Sequence, residues 1–160
     1  MRHGLTLIEL LIVITLLVVL SAATVYVFRV VLINWSFFDI RTGLAIELDR
    51  GTEELARRLR SSSEIRNLST NEIRFSYGNN SSFVYYFYDA LGEYQLREAV
   101  LTGGINGTFV NSVGRVVMAQ IVPPPVSALS VAGNTANITL VLSRKDETLN
   151  SRVLVRPRNL

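Results

Sequence analysis

Gly4-Leu5-Thr6-Leu7-Ile8-Glu9-Leu10 opens the apolar part of this 160-residue chain and sets a single carboxylate, Glu9, near its start. An acid inside a bilayer costs about 2.5–3.5 kcal/mol on insertion scales. A residue kept at such a cost implies a task. Residues 10–28 carry no charged side chain. They would form about 28 Å of helix, close to the ~30 Å thickness of the hydrocarbon core. Arg2 precedes the run and favours a cytoplasmic short end, while Tyr26, Phe28 and Arg29 suit the opposite interface. Apolar text continues through residues 30–33, Trp35, Phe37 and Phe38. Counted from Leu5 to Ile33, the stretch exceeds an untilted span, so the excess must be buried against protein.

Composition agrees with an anchor plus one ordinary domain. Apolar residues make up 49% and charged residues 18%, with a mean hydropathy of +0.32. That is too apolar for a simple soluble domain. The net charge is +3, and Lys145 is the lone Lys among 16 basic residues. The Arg residues are scattered, with no dense patch for nucleic acid. Cys is absent, which removes disulfides, thiolate metal sites and Cys nucleophiles. The one His, His3, lies in the short leader, so neither catalysis nor metal binding through His is expected.

Three readings fit the N-terminus. One is a secretory signal peptide cut after Ser21-Ala22-Ala23, against which Glu9 inside the apolar core argues. Another is a plain uncleaved anchor, which leaves Glu9 without a role. The third accounts for the four-residue basic leader, the Gly before the apolar run and the acid five residues after it. The block from Gly4 to Leu10 resembles the processing and methylation signal of type IV pilins and type II secretion pseudopilins, whose usual text is G-F-T-L-I-E. The resemblance implies that a membrane-embedded prepilin peptidase cuts after Gly4 and N-methylates Leu5. It implies that Glu9, fifth in the mature chain, meets the N-terminal amine of a neighbouring subunit during assembly. A charge in low dielectric seeks its opposite, so such pairing would set axial register. Leu5 stands where Phe is usual. No Pro or Gly occurs from Leu5 to Thr42, whereas many major pilins carry a Pro in that helix, which points to a minor subunit.

The helix is expected to continue to about Arg60. Ile40, Leu44, Leu48, Leu55 and Leu59 recur at helical spacing. Glu53 with Arg57, and Glu54 with Arg58, are i,i+4 pairs in the favourable order, read as a solvated face. Gly43 and Gly51 weaken the helix by ~1 kcal/mol each, and Ser61-Ser62-Ser63 marks its end. The text then turns to period two. Strands are expected at residues 73–77, 83–88, 94–101 and 115–122, the last closed by Pro123-Pro124-Pro125. Residues 136–143 and 152–156 would pair across a loop at 144–150. Residues 83–88 are aromatic on both faces and read as a central strand. Short connections favour an antiparallel meander. The expected fold is α+β: a long N-terminal transmembrane helix packed on an antiparallel β-sheet, pilin-like. Residues 1–4 form the leader, 5–62 the helix (about 5–28 in the membrane) and 63–160 the extracytoplasmic head. The runs at 73–77, 84–89 and 94–97, with the ending 153–159, resemble J-type minor pseudopilins and PilW-like minor pilins.

Few groups suggest chemistry. Gly103-Gly104 with Gly107 lacks the Lys-Ser/Thr of a phosphate loop and reads as a flexible loop. Asp146-Glu147 supplies two carboxylates where calcium wants six to eight oxygens, so it reads as a solvated turn. The aromatic strand could stack bases or sugars if exposed, but clustered aromatics usually form core. No catalytic residue, metal or cofactor is therefore expected, and the chain is not read as an enzyme. The sites are Gly4 and Leu5 for processing and Glu9 for assembly. The implied partners are other pilins or pseudopilins, the prepilin peptidase and the inner membrane, with no nucleic acid and no small-molecule substrate. The resemblance implies a single-pass inner-membrane protein, its head in the periplasm or outside, that later enters a filament. The rival reading is a membrane-anchored extracytoplasmic ligand-binding or sensor domain.

Overall fold

A computed structural model describes residues 6–78 and 81–158. The chain divides into two compact units, Met1–Asp39 and Ile40–Leu160. Helix α1, Leu7–Ser61, runs through the boundary between them. Among the described residues the first unit consists of Thr6 and the part of α1 up to Asp39. Its Leu, Ile, Val and aromatic side chains are exposed, from Leu7 to Phe38. Three of its hydroxyls are turned inward to the helix backbone. Thr15 donates to the carbonyl of Leu11 at 2.6 Å, Thr24 to Leu20 at 2.8 Å and Ser36 to Ile33 at 2.8 Å. No hydroxyl of these three is left to face hydrocarbon unpaired, which is the condition for a helix surrounded by lipid.

The second unit holds the rest of α1 and eight strands. Strands β1 (Glu64–Arg66), β2 (Glu72–Ser76), β3 (Ser82–Ala90), β4 (Glu93–Val100) and β5 (Arg115–Met118) form an antiparallel meander in that order. Strands β6 (Ala128–Ala132), β7 (Thr135–Arg144) and β8 (Glu147–Val155) form a second antiparallel sheet. Of the predicted stripe, Leu44, Leu48, Leu55 and Leu59 are buried, and Ile40 is partly buried against the same core. They share one core with Ile73, Phe75 and Tyr85 of the first sheet and Ile138, Leu140 and Leu142 of the second. Each such side chain is worth about 1.5–3 kcal/mol when fully buried. A helix with one apolar stripe and sheets with one apolar face each bury that face in the same layer.

Strand β3 is central, as its two aromatic faces foretold. Tyr85 stacks on Phe75 with ring centroids 4.9 Å apart on the helix side. Val84 and Tyr86 face the other way and pack with Leu101 and Phe109.

The helix stops where the serine triplet was read. Ser61 donates to the carbonyl of Arg58 at 2.9 Å, Ser62 to Leu59 at 2.7 Å, and the Arg158 N–H to Arg60 at 3.1 Å. These donors satisfy carbonyls that a helix end leaves open. Other boundaries differ from expectation. The strand expected over 115–122 ends at Met118; beyond it Ile121 bridges Leu142 of the second sheet while its N–H donates to the Tyr94 carbonyl of β4 at 3.0 Å. The loop expected over 144–150 is a two-residue turn, Lys145-Asp146, with Glu147 already paired to Arg144. The single expected sheet is two, and β1 and β6 are additional strands.

Candidate functional site

Thr6 and Glu9 frame the start of α1. The Thr6 N–H donates to Glu9 Oε2 at 2.9 Å, and the Thr6 hydroxyl donates to the same oxygen at 3.0 Å. In return the Glu9 N–H reaches Thr6 Oγ1 at 3.4 Å. This reciprocal arrangement is a capping box, which satisfies open donors of a helix start from within the chain. The box sits at the first turn, where the helix dipole favours a carboxylate. Gly4 and Leu5, the predicted processing residues, lie outside the described residues. Thr6 was not singled out from the sequence, although its spacing to Glu9 is the S/T-x-x-E signature of a capped helix start.

The apolar window of α1 near the N-terminus is long enough to cross a bilayer, and none of it is buried inside the chain. It is the one helix with that property among the described residues.

The second unit offers structure rather than chemistry. No cluster of three or more His, Asp or Glu suited to a metal occurs among the described residues. The glycine-rich loop after β4 is held to the sheet rather than free. Arg74, buried and paired to Glu72 at 2.9 Å, donates to the carbonyls of Ile105 at 3.3 Å and Gly107 at 2.7 Å. Gly107 is required there, since a Cβ would stand 2.7 Å from the carbonyl carbon of Thr102. Asp146 lies in the β7–β8 turn.

One half of the predicted solvated helix face is only partly exposed and is paired to the first sheet. Glu54 and Arg58 flank the buried stripe and meet the first sheet. Arg58 pairs with Glu54 at 3.5 Å and with Glu98 of β4, while Arg115 of β5 reaches Glu54 at 2.5 Å and Glu98 at 2.9 Å. Glu98 is only 6% exposed, so two guanidiniums compensate one buried carboxylate. The hydrogen bond from Arg115 holds the Glu54 carboxyl below its usual range, and the same bond raises the Arg115 guanidinium. Glu53 and Arg57 remain exposed. Periodicity marks which residues share a helix face, but not that a β-strand will be laid beside that face.

The chain thus joins an N-terminal helix with an exposed apolar stretch to a β-rich unit, of the α+β class. Its first 25 residues match the prokaryotic N-terminal methylation motif, the signal of type IV pilins and pseudopilins. No curated protein and no solved structure matches the chain. The motif and the apolar helix together support prepilin cleavage, N-methylation and a transmembrane helix, and they fit anchoring in the inner membrane. The motif points to a structural subunit rather than an enzyme.

Proposed function

We propose that this chain is a minor pilin or pseudopilin, cut after Gly4, methylated on Leu5 and built through its N-terminal helix into a type IV pilus or a type II secretion pseudopilus. The observation that carries this reading is the pairing of the methylation motif with an N-terminal stretch of helix whose apolar surface the chain leaves uncovered. Lipid covers that surface before assembly, and helices of other pilin subunits cover it afterwards. The head, residues 63–160, lies on the extracytoplasmic side, and its strand text favours a J-type or PilW-like subunit. No nucleotide motif occurs in the sequence, so a separate ATPase drives extraction.

Glu9 has a defined place in this scheme. In the lone subunit the Thr6 N–H and hydroxyl hold its carboxylate. Cleavage after Gly4 would create an amine on Leu5, next to Thr6. A neighbouring subunit at the correct height brings such an amine to the Glu9 carboxylate, and the charge-assisted bond exceeds the neutral ones that it replaces. A misplaced subunit gains nothing.

The test is Glu9→Ala in the native host. The variant is expected to be processed and to accumulate in the membrane, but to be missing from sheared filaments. Incorporation at the wild-type level would remove the register role.

A further inference from the structure

The three-stranded sheet ends in β8 at one side and β6 at the other. Its outer strand, β8, turns back from β7 through Lys145-Asp146, so Arg144 and Glu147 form the first hydrogen-bonded pair and the pairs alternate from there. Residues 147, 149, 151, 153 and 155 therefore bond to β7. The N–H and C=O groups of Thr148, Asn150, Arg152 and Leu154 point the other way. None of them has a backbone partner among the described residues. Natural edges are usually blunted by shortness, Pro, bulges or charge. β1 has three residues, β5 has four, and the Ala119 N–H just after β5 is taken by Glu47 at 3.2 Å. β6 lies against β2. β8 runs for nine residues in unbroken register with β7 and contains no Pro.

Beside this edge lies a groove of about 660 Å³, walled by Val153 of β8 and floored by Thr52 and Ala56 of α1. A further strand would stand ~4.8 Å from β8 and lie over that groove. The groove is charged in order along the helix. Asp49 and Glu53 line one end, and Arg57, Arg60 and Arg158 the other. None of these five makes an ion pair among the described residues. The backbone bond from Arg158 to Arg60 fixes the basic end in place.

We propose that β8 accepts an extended segment of a different pilin-type subunit, added as a fourth strand, with a carboxylate over Arg57, Arg60 and Arg158. Main-chain bonds to the open edge supply affinity and the charged groove supplies selection and direction. A second copy of this chain would have to enter through its own β8, since β6 lies against β2, and the test separates that outcome. The identity of the partner as a pilin-type subunit rests on the function proposed above.

The test is photocrosslinking in the native host, with a benzophenone amino acid at position 152 of the full chain and the adduct mapped by mass spectrometry. The expected adduct joins β8 to an acid-bearing extended segment of another chain that carries its own methylation motif. An adduct to a second copy, an adduct to lipid, or no adduct overturns the proposal. Reversing Arg60 and Arg158 to Glu should lower the yield at least about tenfold, because both charges face the partner. Asn150→Pro removes an outward N–H without touching the β7 ladder, and should abolish the adduct at an unchanged melting temperature. Retention of the adduct in either variant counts against strand addition. If the mature chain begins at methylated Leu5 and the adduct is missing, only this inference fails.

Discussion

Arg115 on β5 and Glu54 on α1 meet at 2.5 Å, across 61 residues of sequence. The contact ties the helix to the outer strand of the first sheet, and Arg115 carries it on to buried Glu98 at 2.9 Å. The Glu54 carboxyl is held low chiefly by this bond. A carboxylate whose pKa is depressed on folding adds stability above its unfolded pKa, near 4.3, and loses it as pH falls through the folded value. Glu54→Gln should therefore flatten the acid limb of the stability curve below about pH 4.5. At pH 7 the loss should be about 0.5–1 kcal/mol, because Arg115 is half exposed and screened by water. Urea melts at pH 7 and pH 3.5 check this; equal pH dependence in both proteins would exclude the linkage.

Two glycines of one helix should respond to alanine with opposite signs. A Cβ on Gly51 would stand 2.6 Å from Met118 Cγ, and Met118 is buried in the core. Overpacking of that kind costs about 1–3 kcal/mol, more than the ~1 kcal/mol gained in helix propensity. On Gly43 the nearest atom, Arg144 Nη1, is an ordinary 3.7 Å away. Gly43→Ala should stabilise by up to ~1 kcal/mol. Thermal melts of the two variants decide it, and a stabilised Gly51→Ala would mean that the helix does not pack on Met118 as described.

Arg74 should prove indispensable to the loop over residues 102–108. Its fork joins Glu72 to two loop carbonyls, a geometry that one ammonium cannot copy. Arg74→Ala leaves a buried carboxylate alone and should cost roughly 3–5 kcal/mol, with proteolytic cleavage appearing at the glycines. Arg74→Lys should recover less than half. Full recovery by Lys would show that charge alone, without the fork, holds the loop.

Tyr85 carries the opposite lesson. Its ring is fully buried, and its hydroxyl finds no hydrogen-bond partner among the described residues. Burial, aided by the charge of Glu98, pushes the phenol up. A pKa raised on folding gives stability that is present below the unfolded value and lost as pH rises past it, here near 10. Tyr85→Phe removes an unsatisfied polar group and keeps the stack on Phe75. Stability at pH 7 should be unchanged or higher by up to ~1 kcal/mol, and alkaline destabilisation should weaken. A loss above ~1 kcal/mol would reveal a partner for the hydroxyl.

The legible parts of the fold were those in which side chains follow one period. The leucine stripe of α1 and the aromatic alternation of β2 to β4 state their burial directly. β1 and β6 were not legible for different reasons. Three residues, Glu64-Ile65-Arg66, hold too little pattern, and Ala128 to Ala132 is small and weakly apolar. The first half of β8 looks like a loop because its outer face carries Thr148 and Asn150, while Ser151 occupies a core-facing position. Of the candidate site, Glu9 stood out because a charge in an apolar run is costly. Thr6 did not, because one hydroxyl in an apolar run carries little cost, although its S/T-x-x-E spacing to Glu9 was there to be read. The Glu54–Arg115 contact depends on the sheet arriving beside the helix, which no local pattern encodes.

The central claim is that residues 1–25 are a working pilin signal, with Gly4 and Leu5 at its cut. Intact-mass and N-terminal peptide analysis of the chain purified from its native membrane tests it most directly. The account predicts a mature protein lacking residues 1–4 and beginning at methylated Leu5. A mature chain that begins at Met1, or at Thr24 after cleavage beyond Ala23, would contradict it.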